Sequence, residues 1–210
     1  MKNIIILFDI DYTIFNTNQY KKNTTAYICS HFHIKSEDMK LFDIDYRSEN
    51  VNPTGVNMKD YTEKMAIEFS LSPKELYQLL IDTEEIFMDT LYPDSLPTLS
   101  HLSKQYTLGI FSQGHLPFQK NKLIKTNILH LFEEKHTYIH LDKTHMDNMQ
   151  GLPKNAIVVD DKLTVIDHVS KHIPAIHIDR DHKIEKSNFP IIHSLSELPE
   201  AINRLMEAAI

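Results

Sequence analysis

Two aspartates at a two-residue spacing follow an uninterrupted apolar run: Ile4-Ile5-Ile6-Leu7-Phe8 leads into Asp9, Ile10 and Asp11. In an extended chain alternate side chains share a face, so both carboxylates can address one site. One can attack an electrophile while its neighbour moves a proton. Aspartate is a covalent nucleophile in phosphoryl chemistry, and a positioned acid–base group typically contributes roughly 10²–10⁴-fold. A second apolar run, Thr107-Leu108-Gly109-Ile110-Phe111, stops at Ser112-Gln113-Gly114, and a third, Ala156-Ile157-Val158-Val159, stops at Asp160-Asp161. Ser112 and the residues after it offer a hydroxyl and backbone N–H groups to phosphate oxygens. Carboxylates gathered from Asp9, Asp11, Asp160 and Asp161 would raise one another's pKa unless a cation lies among them. A hard divalent ion resolves that repulsion, and Mg²⁺ suits the donor set because it keeps several waters and needs few protein carboxylates. A lysine reaching the same point would offset the charge of the phosphate and of the attacking carboxylate.

For these residues to meet, the runs that precede them must be neighbouring strands. The continuous apolar character of residues 4–8, 107–111 and 156–159 fits strands buried on both faces of a parallel sheet. Weaker strand candidates are 137–141 and 175–178. Helix-like stretches at 95–104, 116–129, 164–171 and 198–206 lie between and after them. Strands alternating with helices imply an α/β, doubly wound, mainly parallel Rossmann-like sheet, and such sheets bind ligands just beyond the carboxyl ends of their strands. One region breaks the alternation. Residues 16–92 hold no convincing buried strand and read as helical, over 20–32, from Ser36-Glu37-Asp38, over 57–69, and from Ser72-Pro73-Lys74-Glu75. That last stretch has a capping hydroxyl, proline at the first helical position and a glutamate placed for a capping box, and it feeds the apolar side Leu76, Leu79, Leu80, Ile86 and Phe87. Asn52-Pro53-Thr54-Gly55 reads as a loop. The expected division is an α/β core of residues 1–15 and 93–210 with a helical cap of residues 16–92 inserted between the first and second strands.

Composition narrows the function. The 210 residues carry 22 Lys+Arg against 29 Asp+Glu, a net charge of −7, which disfavours binding to a nucleic-acid polymer through its phosphates. Residues 16–92 hold 8 Lys+Arg and 13 Asp+Glu, so −5 of that charge lies in the insert. Lys21, Lys22, Arg47 and Lys59 could form a local patch there, although scattered solvated side chains are the plainer reading. A single cysteine, Cys29, excludes an internal disulfide and reads as a small packed residue. The apolar run at 4–8 is too short for a signal-peptide core, and no stretch reaches the roughly 18–20 apolar residues of a membrane span. A cytoplasmic setting is expected. His136 and His140, four apart with His145 nearby, fall in a strand-and-loop stretch, where the helical metal-ligand spacing does not apply.

The sequence "IIILFDIDYT" at 4–13 resembles the first motif of the haloacid dehalogenase-like (HAD) hydrolases, a strand followed by Asp-x-Asp-x-Thr. "LGIFSQG" at 108–114 resembles their second motif, and "AIVVDD" at 156–161 their fourth. The stretches 91–114 and 118–134 are similar to the family's run into the second motif and its following helix. This resemblance implies that Asp9 forms an aspartyl-phosphate and that Asp11 serves as acid and then base. It implies that Thr13, Ser112 and Gln113 position the phosphoryl group. Mg²⁺ is then expected on the Asp9 carboxylate, the Asp11 backbone carbonyl, Asp160 and Asp161. For the motif-three lysine the choice is Lys143 in "LDKT", with Lys122, Lys120 and Lys135 as runners-up.

The implied activity is Mg²⁺-dependent hydrolysis of a small phosphorylated metabolite or a nucleoside monophosphate, of the phosphoglycolate-phosphatase or nucleotidase kind, by a monomer or homodimer. A HAD-type sugar phosphomutase would share the catalytic aspartates, and a catalytically silent HAD-fold binding protein would usually lose one. A dehalogenase lacks the second aspartate of motif one. A signalling receiver domain places its adjacent acidic pair first and its lysine last, the reverse of the order here, and has no place for a helical insert.

Overall fold

The computed structural model describes residues 4–49, 57–184 and 187–208, and in it the apolar runs pair into one sheet. Its strands are β1 (Ile5–Phe8), β2 (Thr107–Gln113), β3 (Thr137–His140), β4 (Ala156–Asp160), β5 (Ala175–Ile178) and β6 (Ile191–Ile192). They lie in the order β3-β2-β1-β4-β5-β6, every pair parallel. In chain order the helices are α1 (Thr17–Phe32), α2 (Ser36–Glu49), α3 (Met58–Glu68), α4 (Pro73–Asp82), α5 (Glu84–Phe87), α6 (Ser95–Leu102), α7 (Leu116–Lys125), α8 (Met146–Gln150), α9 (Leu163–Val169) and α10 (Leu198–Ala208). The result is a doubly wound Rossmann-like α/β fold.

β1 is apolar at every position because it is central, paired on both edges and covered on both faces. Ile6 and Phe8, with Ile110 and Val159 beside them, face a cluster that includes Leu99 of α6, Leu123 of α7 and Ile202 of α10. Ile5 and Leu7, with Phe111 and Val158, face the opposite cluster, which Met149 of α8 and Val165, Ile166 and Val169 of α9 complete. Alternation along each strand thus divides one apolar run between two cores. Gly109 is required where β2 crosses the approach to β3: a Cβ there would sit 2.5 Å from the His136 carbonyl oxygen and 2.7 Å from Leu7 Cδ2.

Helices α1–α5 fill the chain between β1 and β2. Their starts follow from capping side chains. Asn16 accepts from the Gln19 amide, Asn57 from those of Lys59 and Asp60, and Ser72 from that of Glu75, with Pro73 in the first turn. Tyr20, Ile28, Met39, Tyr61, Met65, Leu80 and Phe87 join these helices in the same cluster as the β1 face of Ile6 and Phe8. The two connections into and out of this region run side by side. Phe15 bridges Leu91, Asn16 N donates to Thr90 O at 2.6 Å, and Ser95 Oγ donates to Ile14 O at 2.8 Å.

Three local details differ from the sequence expectation. The helix expected over 116–129 ends at Lys125, because Asn127 turns left-handed (φ 55°) and the Ile128 amide closes back on Leu123 O at 3.0 Å. The apolar side shared by 76–87 belongs to two helices, since Thr83 is extended and separates α4 from α5. β6, two residues after Pro190, is too short to leave a periodic signal. The loop expected at 52–55 lies outside the described residues. Among the described residues no helix is long and apolar enough to cross a membrane.

Candidate active site

The strand order reverses at the β1–β4 boundary, and the crevice beyond the carboxyl ends of such strands is where open α/β sheets take ligands. Phe8 pairs with Val159, and Asp9 N donates to Val159 O at 2.9 Å, so Asp9 and Asp160 leave adjacent strands at the same level. The carboxylates of Asp9, Asp160 and Asp161 each offer an oxygen, all within 4.8 Å of one another. Lys143, on the loop after β3, is fully buried; its Nζ donates to Asp9 Oδ1 at 2.6 Å and to Asp160 Oδ2. The other Asp160 oxygen accepts from the Lys162 amide at 2.9 Å, while Asp161 Oδ1 is buried with no partner. His177 Nε2 donates to the Asp161 carbonyl at 2.9 Å and so anchors that peptide from β5.

Electrostatics mark this cluster as short of positive charge. Burial, then the neighbouring Asp9 and Asp160, push the Asp161 carboxyl up to about 8. Burial and Asp9 also raise Asp160, to about 6, against the opposing pull of Lys143. Burial alone would lower Lys143, but the charges of Asp160 and Asp9 outweigh it and drive its pKa above the ordinary lysine value. One ammonium among three carboxylates leaves a hard, oxygen-only donor set, the kind that suits Mg²⁺.

Asp11 faces elsewhere. Tyr12 adopts a left-handed conformation (φ 60°), and the chain then turns so that the amides of Ile14 and Phe15 both bond Ile10 O. The Asp11 carboxylate is held by Lys122 Nζ at 2.6 and 2.8 Å, Gln119 Nε2 at 2.8 Å and Thr17 Oγ1 at 2.6 Å. Lys122 is buried, with the Phe15 ring at 5.1 Å and the Phe118 ring at 4.9 Å. Burial would raise the Asp11 pKa, but the Lys122 charge and the bonds from Lys122, Thr17 and Gln119 override it and hold the carboxyl at about 2. The loop beyond is clamped by Arg180, which donates to Thr13 O at 2.9 and 2.6 Å and to Asp94 at 3.1 Å. Asp94 in turn accepts from Ser194 Oγ and Leu195 N.

The residues singled out in the sequence therefore fall into two adjoining groups. Asp9, Asp160, Asp161 and Lys143 form one. Asp11 forms the other, and its carboxylate takes no part in the three-aspartate cluster. The hydroxyls of Thr13 and Ser112 are both buried without a hydrogen-bond partner. Gln113 lines a cavity beyond the strand ends together with Asp9 and Asp11, but its carbonyl is bonded by Gln119 Nε2. The Gly114 amide is committed to His140 O at 2.8 Å, so it does not join the backbone donors expected after β2. Of the runner-up lysines, Lys122 meets Asp11, Lys120 pairs with Glu134 at 3.6 Å, and Lys135 is exposed. Gln119, Thr17 and Arg180 were not marked in the sequence. Gln119 and Lys122, three apart on one helical face, carried the available signal.

Asp9 and Asp11 open into a cavity of about 370 Å³. Its floor is the strand end, and its far wall comes from α1–α4, including Tyr20, Lys21, Arg47 and Tyr61. The volume lies at the lower end of small-molecule sites, roughly 300–1,000 Å³.

The family described as haloacid dehalogenase-like hydrolase matches residues 6–167. This chain belongs to that family. Magnesium-bound YfnB of Bacillus subtilis is similar to this HAD-like hydrolase with a TM-score of 0.68 at 15% identity, covering 97% of this chain and 100% of its own. A HAD phosphatase from Thermococcus onnurineus has a TM-score of 0.59 at 21% identity, covering 96% and 98%. A 2-haloacid dehalogenase from Pseudomonas syringae pv. Tomato DC3000 has a TM-score of 0.60 at 17% identity, covering 98% and 100%. No curated protein sequence gives a significant match. At these identities the likeness is one of fold, and phosphatases and dehalogenases both share it with this HAD-like hydrolase.

Proposed function

We propose that this protein hydrolyses small phosphate monoesters in a Mg²⁺-dependent reaction through an aspartyl-phosphate on Asp9. The observation that carries the reading is the convergence of Asp9, Asp160, Asp161 and Lys143 at the β1–β4 crevice, with Asp11 two residues away at the mouth of the same cavity. An Asp9 oxygen attacks phosphorus, and the bond to the ester oxygen breaks as that oxygen takes a proton from Asp11. Water, giving its proton to Asp11, then attacks the acyl phosphate, releasing inorganic phosphate and restoring Asp9. The ionised Asp11 held by Lys122 is the form this second step needs. For the first step it must take up a proton, which a nearby phosphate dianion favours. Lys143, Ser112 and Thr13 would offer donors to the phosphoryl oxygens. Asp9, Asp160, Asp161 and the Asp11 carbonyl would hold Mg²⁺, which when bound offsets the charge between phosphate and nucleophile.

Residues 16–92 act in this reading as a cap on a core of 1–15 and 93–210, excluding water from the reacting centre. Asp11 favours phosphoryl transfer over dehalogenation, because a haloacid dehalogenase has no aspartate at that position. The test is phosphate release from p-nitrophenyl phosphate and a panel of metabolite monoesters. Turnover should require Mg²⁺, stop with EDTA and disappear in Asp9→Asn. A folded Asp9→Asn protein working at the wild-type rate, or halide release from 2-chloropropionate in place of phosphate release, refutes the proposal.

A further inference from the structure

The charges lining the cavity have the opposite sense to those of the segment that supplies them. Residues 16–92 carry 8 Lys+Arg against 13 Asp+Glu, yet this segment turns Lys21 and Arg47 into the cavity and only Asp43 among its acids. Every carboxylate in the lining is already engaged: Asp9 by Lys143, Asp11 by Lys122, and Asp43 by the Tyr61 hydroxyl at 2.7 Å. Lys122 is spent on Asp11, and Lys162 acts on Asp161. Lys21 and Arg47 remain. Lys21 Nζ donates only to the Tyr12 hydroxyl, at 2.7 Å, and Arg47 makes no ion pair or hydrogen bond among the described residues. On the same wall the hydroxyls of Tyr20 and Thr24, residues more than nine-tenths buried, sit beside one another and bond no other group. Lys22 and Lys59, which the sequence grouped with this pair, are not in the lining, and Lys59 pairs with Glu63 at 3.9 Å.

Cations without a carboxylate partner, beside a buried hydroxyl pair that bonds nothing else, are what an anion requires on leaving water. We infer that the leaving group of the substrate carries an anionic group of its own, a carboxylate or a second phosphate, which Lys21 and Arg47 bind with the hydroxyls of Tyr20 and Thr24. The inference rests on the phosphatase reading and names the class of monoester that the site takes.

The experiment compares substrates of like carbon skeleton, reading kcat/KM for phosphate release with Mg²⁺. The pair 3-phosphoglycerate and glycerol 3-phosphate tests a carboxylate, and fructose 1,6-bisphosphate and fructose 1-phosphate tests a second phosphate. At least one anionic member should be preferred by roughly tenfold or more, the scale of one charge-assisted contact. Arg47→Leu and Lys21→Met should each bring that ratio towards one. Lys22→Met, exposed on the same helix outside the cavity, should keep it. A ratio at or below one in both pairs, or one that survives both cavity substitutions, overturns the inference. If no ester is hydrolysed, the phosphatase reading fails, and calorimetric titration of the same four compounds into the Mg²⁺-loaded protein decides the inference instead. Roughly tenfold tighter binding of an anionic member, lost in Arg47→Leu, supports it; equal affinities, or no binding by any, overturn it.

Discussion

Replacing Lys143 with Met removes the ammonium from a buried cluster of three carboxylates while roughly keeping the volume of the side chain. Lys143 is fully buried and bonded to Asp9 and Asp160, so the substitution strands carboxylates that are largely withdrawn from water. Breaking a buried ion pair by removing one partner costs about 3–5 kcal/mol. In a domain of this size each kcal/mol shifts the melting temperature by about 2–4 °C, giving a fall of roughly 6–20 °C. The sign with pH follows from the acids left behind. Asp160 and Asp161 stand at about 6 and 8 even with the lysine present. Their folded-state values exceed the unfolded value near 3.9, so the metal-free protein loses stability as pH rises through that interval. Without Lys143 the loss should deepen. The assay is thermal unfolding by circular dichroism in EDTA at pH 5 and pH 8, repeated with Mg²⁺. The variant should lie well below wild type at pH 8, close part of the gap at pH 5, and gain more from Mg²⁺ than wild type does. A melting temperature within 2 °C of wild type at pH 8 would show that the three carboxylates are not sharing one desolvated site.

Further outcomes follow from the same contacts. Because protons compete for Asp160 and Asp161, the Mg²⁺ affinity of the wild type should strengthen between pH 5 and 8, and a pH-independent affinity measured calorimetrically would contradict the cluster as the metal site. Lys122→Met should lower kcat more than it raises KM. Lys122 helps to hold the folded Asp11 at about 2, from 3.8, roughly 2–3 kcal/mol of stabilisation that is present above about pH 4 and lost as pH falls towards 2. The gap in melting temperature between wild type and this variant should therefore narrow from pH 6 to pH 3. Arg180→Ala should cost about 1–3 kcal/mol by leaving the Thr13 carbonyl and Asp94 short of a donor, and should reduce phosphate release through the loop that carries Thr13. Unchanged stability and turnover would show that this clamp does not position the loop.

What could be read from the sequence is what one strand determines by itself. A buried strand must be apolar until it leaves the sheet, so the points where Phe8, Phe111 and Val159 give way to polar residues mark the crevice before any pairing is known. Asp9, Ser112 and the Asp160–Asp161 pair were legible for that reason, and Lys143 was chosen because it follows one strand-like run and precedes a short helix before Ala156. The partner of Asp11 was a different problem. Lys122 looked like one of several lysines on α7, and nothing in its neighbours says that the left-handed turn at Tyr12 rotates Asp11 away from Asp9 and towards that helix. The loss of the Gly114 amide to His140 was equally hidden, since it depends on how far β3 extends beside β2. Lys21 and Arg47 show the same limit most clearly. Among Lys21, Lys22, Arg47 and Lys59 the sequence contains no distinction, because membership of the cavity wall is set by how α1 and α2 are rotated about the cluster of Tyr20, Met39 and Tyr61. Chemistry carried by strand ends is written locally, whereas the side chains that the inserted helices turn into the cavity are fixed by packing between those helices.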